Sequence, residues 1–313
     1  MRRASFSGIP NSMTTSQREK RDAAASYLLL TLAILFWAGN FVLGRAVRAD
    51  VPPVALAFWR WAVAALLIGG PAMGHLRREW GTIRRHAPIL LLLSAVGVAA
   101  FNTLVYTGLQ YTVAINALLL QAVMPVFIVI FSYGLFRDPV TKRLAGGILL
   151  CLAGAVAIIV EGRPQVLAAL AFNPGDLLVL LAVASYAAYS VLLRKRPAIH
   201  PLSFVAVTFT LGALMLLPLY LWESVAVRPM PINGRSLLSI AYVGIFPSIV
   251  SYLCYNRGVE RIGANRAGLF LYLMPVFGSV MAVVFLGEAF RWFHGAGIVL
   301  IAAGLFTTLR AAK

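Results

Sequence analysis

The stretch 106–156 recurs as 256–306 at a constant offset of 150 residues without a gap, carrying Met124-Pro125-Val126-Phe127 onto Met274-Pro275-Val276-Phe277. Gly147 and Gly154 land on Gly297 and Gly304, and thirteen of the 47 positions from 108 to 154 are identical to their partners. A weaker echo at an offset of 149 sets the segment from Trp37 to Arg45 over the segment from Tyr186 to Arg194. Self-similarity of this kind marks one unit built twice. Whatever the first half folds into, the second half folds into as well.

The composition says what that unit is. Of 313 residues, 61% are hydrophobic and only 12% charged, against about a quarter charged in soluble domains. A spanning helix needs about 20 mainly apolar residues to cross ~30 Å of hydrocarbon. Ten segments qualify: roughly 26–46, 53–72, 87–108, 113–136, 143–160, 174–194, 202–222, 236–256, 264–286 and 292–310. Backbone polar groups in lipid must be satisfied within the span, and these runs are continuous where barrel strands would alternate, so the spans are helices. The expectation is an all-α polytopic membrane protein with ten transmembrane helices. Its parts are a disordered tail over 1–25, a first five-helix repeat over 26–160 and a second over 174–310.

Five is odd. A unit with an odd number of spans enters the membrane from the opposite side when it recurs, so the two repeats are inverted with respect to each other. Charge placement tests this, because cytoplasmic loops collect Lys and Arg. With the N-terminus inside, the inside segments hold 20 Lys and Arg residues, the outside segments hold six, and Arg60 alone falls within a span. Both termini are therefore expected in the cytoplasm, in the inner membrane of a bacterium, with the lipid bilayer as the chain's surroundings and a monomer as its unit.

The net charge of +17 does not point to nucleic acid, because the basic residues are scattered among loops and tails where they set topology. Cys151 and Cys254 lie in spans of different halves, which gives neither a disulfide framework nor a metal-ligand spacing. No nucleotide-binding motif is present, and no cofactor is expected.

Charged side chains inside a membrane are costly and mark functional sites by default. Arg60, beside Trp59 and Trp61, could snorkel to the outer interface or line a cavity. The repeat superimposes Asp138 on Glu288. Each could cap the next helix, where a carboxylate meets the positive end of the dipole, or could serve as a gate or coupling site. Uncharged polar and aromatic residues are plentiful: Trp37 with Asn40, Asn102 with Tyr106, Asn116 and Gln121, Tyr186 with Tyr189 and Ser190, and Tyr252 with Tyr255 and Asn256. Members of most of these sets stand three or four apart, on one helix face. An interhelical hydrogen bond explains any one of them. Matching faces on four helices point instead to a shared polar and aromatic cavity. Pro125 and Pro275 are expected to bend helices four and nine around it, and the glycine pairs seven apart to pack helices five and ten closely.

Trp37-Ala-Gly-Asn-Phe, Pro52-Pro53-Val-Ala-Leu-Ala-Phe-Trp-Arg60, the Met-Pro-Val-Phe of both halves and Leu286-Gly-Glu288 resemble the EamA-type transporters of the drug/metabolite transporter superfamily. The resemblance covers 26–310. It implies a ten-helix inverted-repeat transporter with a central cavity, often an exporter of amino acids or related metabolites, and one branch of the family exports aromatic and other hydrophobic amino acids. The family's helix-one Asn falls on Asn40, its helix-two Arg on Arg60 and its acidic residue after Leu-Gly on Glu288. The first half departs from that last motif with Phe136-Arg137-Asp138, which makes Asp138 a weaker functional candidate.

The expected protein is a solute transporter, not an enzyme, working by alternating access around a midplane site. Trp37, Tyr106, Tyr186, Tyr189, Tyr252 and Tyr255 would form apolar walls, and Asn40, Asn102, Gln121 and Asn256 would orient the ligand. That lining suits an uncharged or zwitterionic small molecule with an apolar group. The rival readings are a carrier of another solute such as a purine or drug-like cation, an importer, and, more remotely, an intramembrane enzyme. With no carboxylate deep in a span, movement down the substrate gradient is the expected mode.

Overall fold

The structure is a computed structural model that describes residues 15–47, 50–112, 114–286 and 289–309. Among these residues the architecture is helical throughout. Nine helices among the described residues are long and apolar enough to cross a membrane, and the interrupted helix over 264–286 makes a tenth. The first repeat holds α1 (Thr15–Val47), α2 (Pro53–Arg85), α3 (87–111), α4 (114–136) and α5 (Lys142–Ile159). The second holds α6 (Pro174–Leu192), α7 (Pro201–Ala226), α8 (234–262), α9 (264–286) and α10 (Trp292–Leu309).

Contacts between these helices are exchanged when the repeats are exchanged. α5 packs on α10, α2 on α7 and α4 on α9, each helix against its own counterpart. α3 packs on α6 just as α8 packs on α1, and α4 packs on α6 just as α9 packs on α1. This is a two-fold arrangement. Because each repeat has five spans, the axis lies in the membrane plane, and the cavity residues gather where the halves meet.

Four helices are interrupted, and the interruptions match. α3 carries a π-helical turn at Ala95–Ala100, and α8 carries one at Ile245–Val250, 150 residues on. α4 breaks at Val123, between Ala114–Ala122 and Met124–Phe136, and α9 tightens to a 3-10 turn at Phe270–Tyr272 before Leu273–Leu286. The expected bends thus fall just before Pro125 and Pro275 rather than at them. A proline restricts the residue preceding it and cannot donate to the carbonyl four residues back, here those of Gln121 and Leu271.

α5 and α10 meet backbone to backbone. A Cβ on Gly154 would stand 2.6 Å from the Gly297 carbonyl oxygen, and one on Gly297 would stand 2.7 Å from that of Gly154. Only glycine on both helices permits this approach.

Two expectations are corrected here. The expectation of a disordered tail over 1–25 fails for residues 15–25, which belong to α1, and residues 1–14 lie outside the described residues. Apart from Asp22, the segment from Gln17 to Ala25 is built of Gln, Arg, Glu, Lys and Ala, which are good helix formers. Extending an existing helix costs no new nucleation. The second correction concerns Asp138, which does not cap α5. Thr141 does so, accepting from the Leu144 amide at 3.2 Å. Glu288 lies outside the described residues.

Candidate functional site

Arg60 stands seven residues into α2, about 10 Å along the helix from its start, and is 1% exposed. It does not snorkel. Its Nε donates to Ser248 Oγ at 2.7 Å and its Nη2 to the Pro247 carbonyl at 2.9 Å. Nη1 is shared among Asn102 Oδ1 at 3.1 Å, Tyr106 Oη at 3.2 Å and Asn40 Oδ1 at 3.3 Å. The guanidinium also lies 4.8 Å from the centre of the Trp61 ring. One side chain from α2 thereby ties together α1, α3 and α8.

The π turns explain why these partners are free to bond. Pro247 has no N–H to give the Val243 carbonyl, and Ser248 Oγ supplies the missing donor at 2.6 Å. The π turn also displaces the regular hydrogen-bond ladder and leaves the Pro247 carbonyl to accept from Trp37 Nε1 at 2.8 Å as well as from Arg60. In the first repeat the equivalent carbonyl is that of Gly97, and it accepts from the Tyr252 hydroxyl. Each repeat thus opens one backbone carbonyl at the same position toward the other side of the cavity.

Around Arg60 lies a cavity of about 30 Å³ walled by Trp37, Asn40, Asn102, Tyr106, Gln121, Tyr186 and Tyr252, with Phe101, Val105, Met124, Leu271 and Met274. Seven of the ten expected cavity residues are brought together there. Tyr189, Tyr255 and Asn256 are not. Tyr189 donates to Asn256 Oδ1 at 2.9 Å, and Tyr255 shares a 3.0 Å hydrogen bond with Ser190. These bonds join α6 to α8 in a layer on the far side of the Tyr186 and Tyr252 rings, nearer the membrane face on which α1 begins. Trp37, Tyr186, Tyr189, Tyr252 and Tyr255 form one aromatic stack whose neighbouring rings are 5.1 to 6.2 Å apart. Below it Asn256 borders a separate small cleft with Arg196, Arg257 and Glu260.

On that same face Asp138 receives both Nη atoms of Arg194, at 2.9 and 2.7 Å, and the Ser132 hydroxyl at 2.5 Å. Arg196 pairs with Glu260 at 2.7 Å. The end of α6 is thus tied to the α4–α5 loop and to α8. The hydrogen bond from Arg194 holds the Asp138 carboxyl below the usual carboxylate range, with Ser132 adding to the effect. A depressed carboxylate contributes stability above its unfolded value and loses it only as pH falls through the folded one. The ion pair's contribution is therefore present at neutral pH and is lost only in acid, as pH falls through the depressed value. Being partly exposed, it stabilises by at most about 1 kcal/mol. Asp138→Asn should lower the melting temperature slightly and equally at pH 5 and pH 8. A loss confined to pH 8 would show that the carboxyl titrates between them.

Several contributors were not legible in the sequence. Ser248 and Pro247 carry no charge and read as two more apolar-span residues, although a Pro-Ser pair inside a span is a signal for a displaced ladder. Glu223, 4% exposed on α7, accepts from the amides of Val54 and Ala55 at the start of α2. It caps another helix and lies outside the cavity. Asp176 forms a capping box with Asn173 at the start of α6 and accepts from Thr112 and Asn116, so Asn116 serves that cap.

The model of the EamA-like transporter family matches residues 24–160 and again 173–310, and the chain belongs to that family. It is a multi-pass membrane transporter of the drug/metabolite transporter type. It is 28% identical over 284 residues to the uncharacterised transporter YyaM of Bacillus subtilis, covering 90% of this chain and 92% of that one. It is 27% identical over 286 residues to an uncharacterised transporter of Archaeoglobus fulgidus, covering 90% and 96%. A probable terminal-alkyne amino-acid exporter of Streptantibioticus cattleyicolor is 27% identical over 268 residues, covering 83% and 84%. A protein of known crystal structure superimposes with a TM-score of 0.74 at 20% identity, covering 92% and 96%, which establishes a shared fold.

Proposed function

We propose that this transporter exports amino acids or closely related metabolites with apolar side groups, by alternating access of its two repeats around the Arg60 cavity. The observation that carries this reading is the cavity's lining. Polar groups that can fix one end of a small molecule converge at Arg60, and aromatic and apolar side chains supply the other wall, the usual make-up of a small-molecule site. The relative named as an amino-acid exporter supports the same class. At about 30 Å³ the cavity has room for a water molecule, whereas a metabolite site occupies some 300 Å³ or more. Binding then requires the repeats to separate. Arg194–Asp138 and the Tyr189 and Tyr255 bonds are the contacts to be released on the side of α1's beginning, which the charge distribution assigns to the cytoplasm.

Among the described residues no carboxylate lines the cavity, and the reading includes movement down the substrate gradient. Proteoliposomes holding unlabelled phenylalanine or leucine should take up the labelled amino acid by counterflow without a pH gradient, and adenine or a quaternary ammonium ion should not exchange. Counterflow of adenine or the cation but of neither amino acid would overturn the substrate class. Uptake that appears only with an imposed pH gradient and disappears in Glu288→Gln would overturn the mode.

A further inference from the structure

A buried cation normally has an anion beside it, because removing one partner of such a pair leaves a costly bare charge. Arg60 has none among the described residues. Seven acidic side chains are described, and each is engaged elsewhere: Asp50 with Arg235, Glu79 with the His200 amide, Asp138 with Arg194, Glu161 with Arg163, Asp176 with Thr112 and Asn116, Glu223 with the start of α2, and Glu260 with Arg196 and Arg257. The guanidinium is met only by neutral oxygens, and three of them share Nη1 at 3.1 to 3.3 Å. Charge-assisted bonds to a carboxylate run about 2.7–2.9 Å.

A second observation lies in the same cavity wall. Both amide atoms of Gln121 and the hydroxyl of Tyr186 are buried without a hydrogen-bond partner, although buried polar groups are nearly always paired. The cavity therefore holds a positive charge without its anion, and donors and acceptors without their partners.

We propose that the substrate enters this cavity as a monocarboxylate, its carboxylate docking on Arg60 Nη1 in place of the long neutral contacts and its neighbouring polar atoms meeting Gln121 and Tyr186. This rests on the transporter reading and narrows its substrate class. One unit of positive charge matches one carboxylate. A phosphate dianion would need a second cation, and among the described residues no other basic side chain lines the cavity. An amino group on the substrate is permitted by the faces of Trp37, Tyr186 and Tyr252, and it is not what the site selects.

The test measures ligand-induced thermal stabilisation of the full chain in lipid nanodiscs, with 3-phenylpropanoate, 3-phenylpropanamide and inorganic phosphate as probes. The acid should raise the melting temperature saturably, with a dissociation constant at least tenfold below that of the amide, and phosphate should have no effect. The acid-over-amide preference should shrink in Arg60→Lys and vanish in Arg60→Gln. Acid and amide acting equally on the wild-type protein would overturn the proposal without reliance on any variant. So would a stronger response to phosphate, or no response to the acid. Saturable acid binding without transport of any labelled solute would sustain the carboxylate site and refute the transport reading. Counterflow without acid preference would do the reverse.

Discussion

Gly154→Leu should leave no folded protein in the membrane. A Cβ at this position already meets the Gly297 carbonyl oxygen at 2.6 Å, Ile301 Cγ1 at 2.9 Å and Leu300 Cβ at 3.0 Å. The obstacles are a backbone atom and two packed side chains, so no single rotamer change makes room. α5 and α10 would have to move apart along their whole contact, at a cost of about 3 kcal/mol or more. Gly146 is the internal control, because nothing lies within 4 Å of a Cβ there. Purified yield and melting temperature should collapse for Gly154→Leu and stay near wild type for Gly146→Leu. Equal tolerance of both would mean that α5 and α10 do not meet at their glycines.

Arg60→Met should abolish transport and cost on the order of 3–5 kcal/mol in stability. The substitution keeps much of the side-chain length but removes the donors that serve Ser248, Pro247, Asn40, Asn102 and Tyr106. Buried acceptors left without donors cost about 1–3 kcal/mol each, and partial relaxation and the release of a buried charge reduce the total. Arg60→Lys should fold and retain a small fraction of the transport rate, since an ammonium keeps the charge but its three donors leave one nitrogen and cannot span the acceptors that Nε, Nη1 and Nη2 reach from separate positions. Unfolding midpoints and counterflow rates of the two variants check this. Wild-type transport in Arg60→Met would remove Arg60 from the site.

The helix number, the duplication and the odd-span inversion are legible in the sequence because lipid forces each span to satisfy its own backbone, leaving long apolar runs that can be counted. The cavity walls at Trp37, Asn40, Asn102, Tyr106, Tyr186 and Tyr252 are legible because polar residues repeat at helical spacing. What is hidden is depth along a helix. Tyr186 and Tyr189 share a face, yet one borders the cavity and the other seals the layer beyond it, since three residues are about 4.5 Å of rise. Also hidden is the partner of Arg60, because its best acceptors are a proline carbonyl and a serine hydroxyl exposed by a π turn, for which the uncharged Pro247-Ser248 pair is the one local signal and names no partner. Asp138 misleads for a related reason: the cap signal sits three residues on, at Thr141, and the arginine it meets is 56 residues away.

The central claim is that the Arg60 cavity is reached from each side of the membrane in turn. A single cysteine at Gln121, in a background carrying Cys151→Ala and Cys254→Ala, tests it with a membrane-impermeant thiol reagent applied to right-side-out and inside-out vesicles. Gln121 borders the cavity and is 7% exposed, so it can react only when a repeat swings open. The account predicts labelling in both vesicle orientations, slowed by transported substrate in each. Labelling in one orientation alone, whatever the substrate or incubation time, would contradict alternating access and leave a site open to a single face.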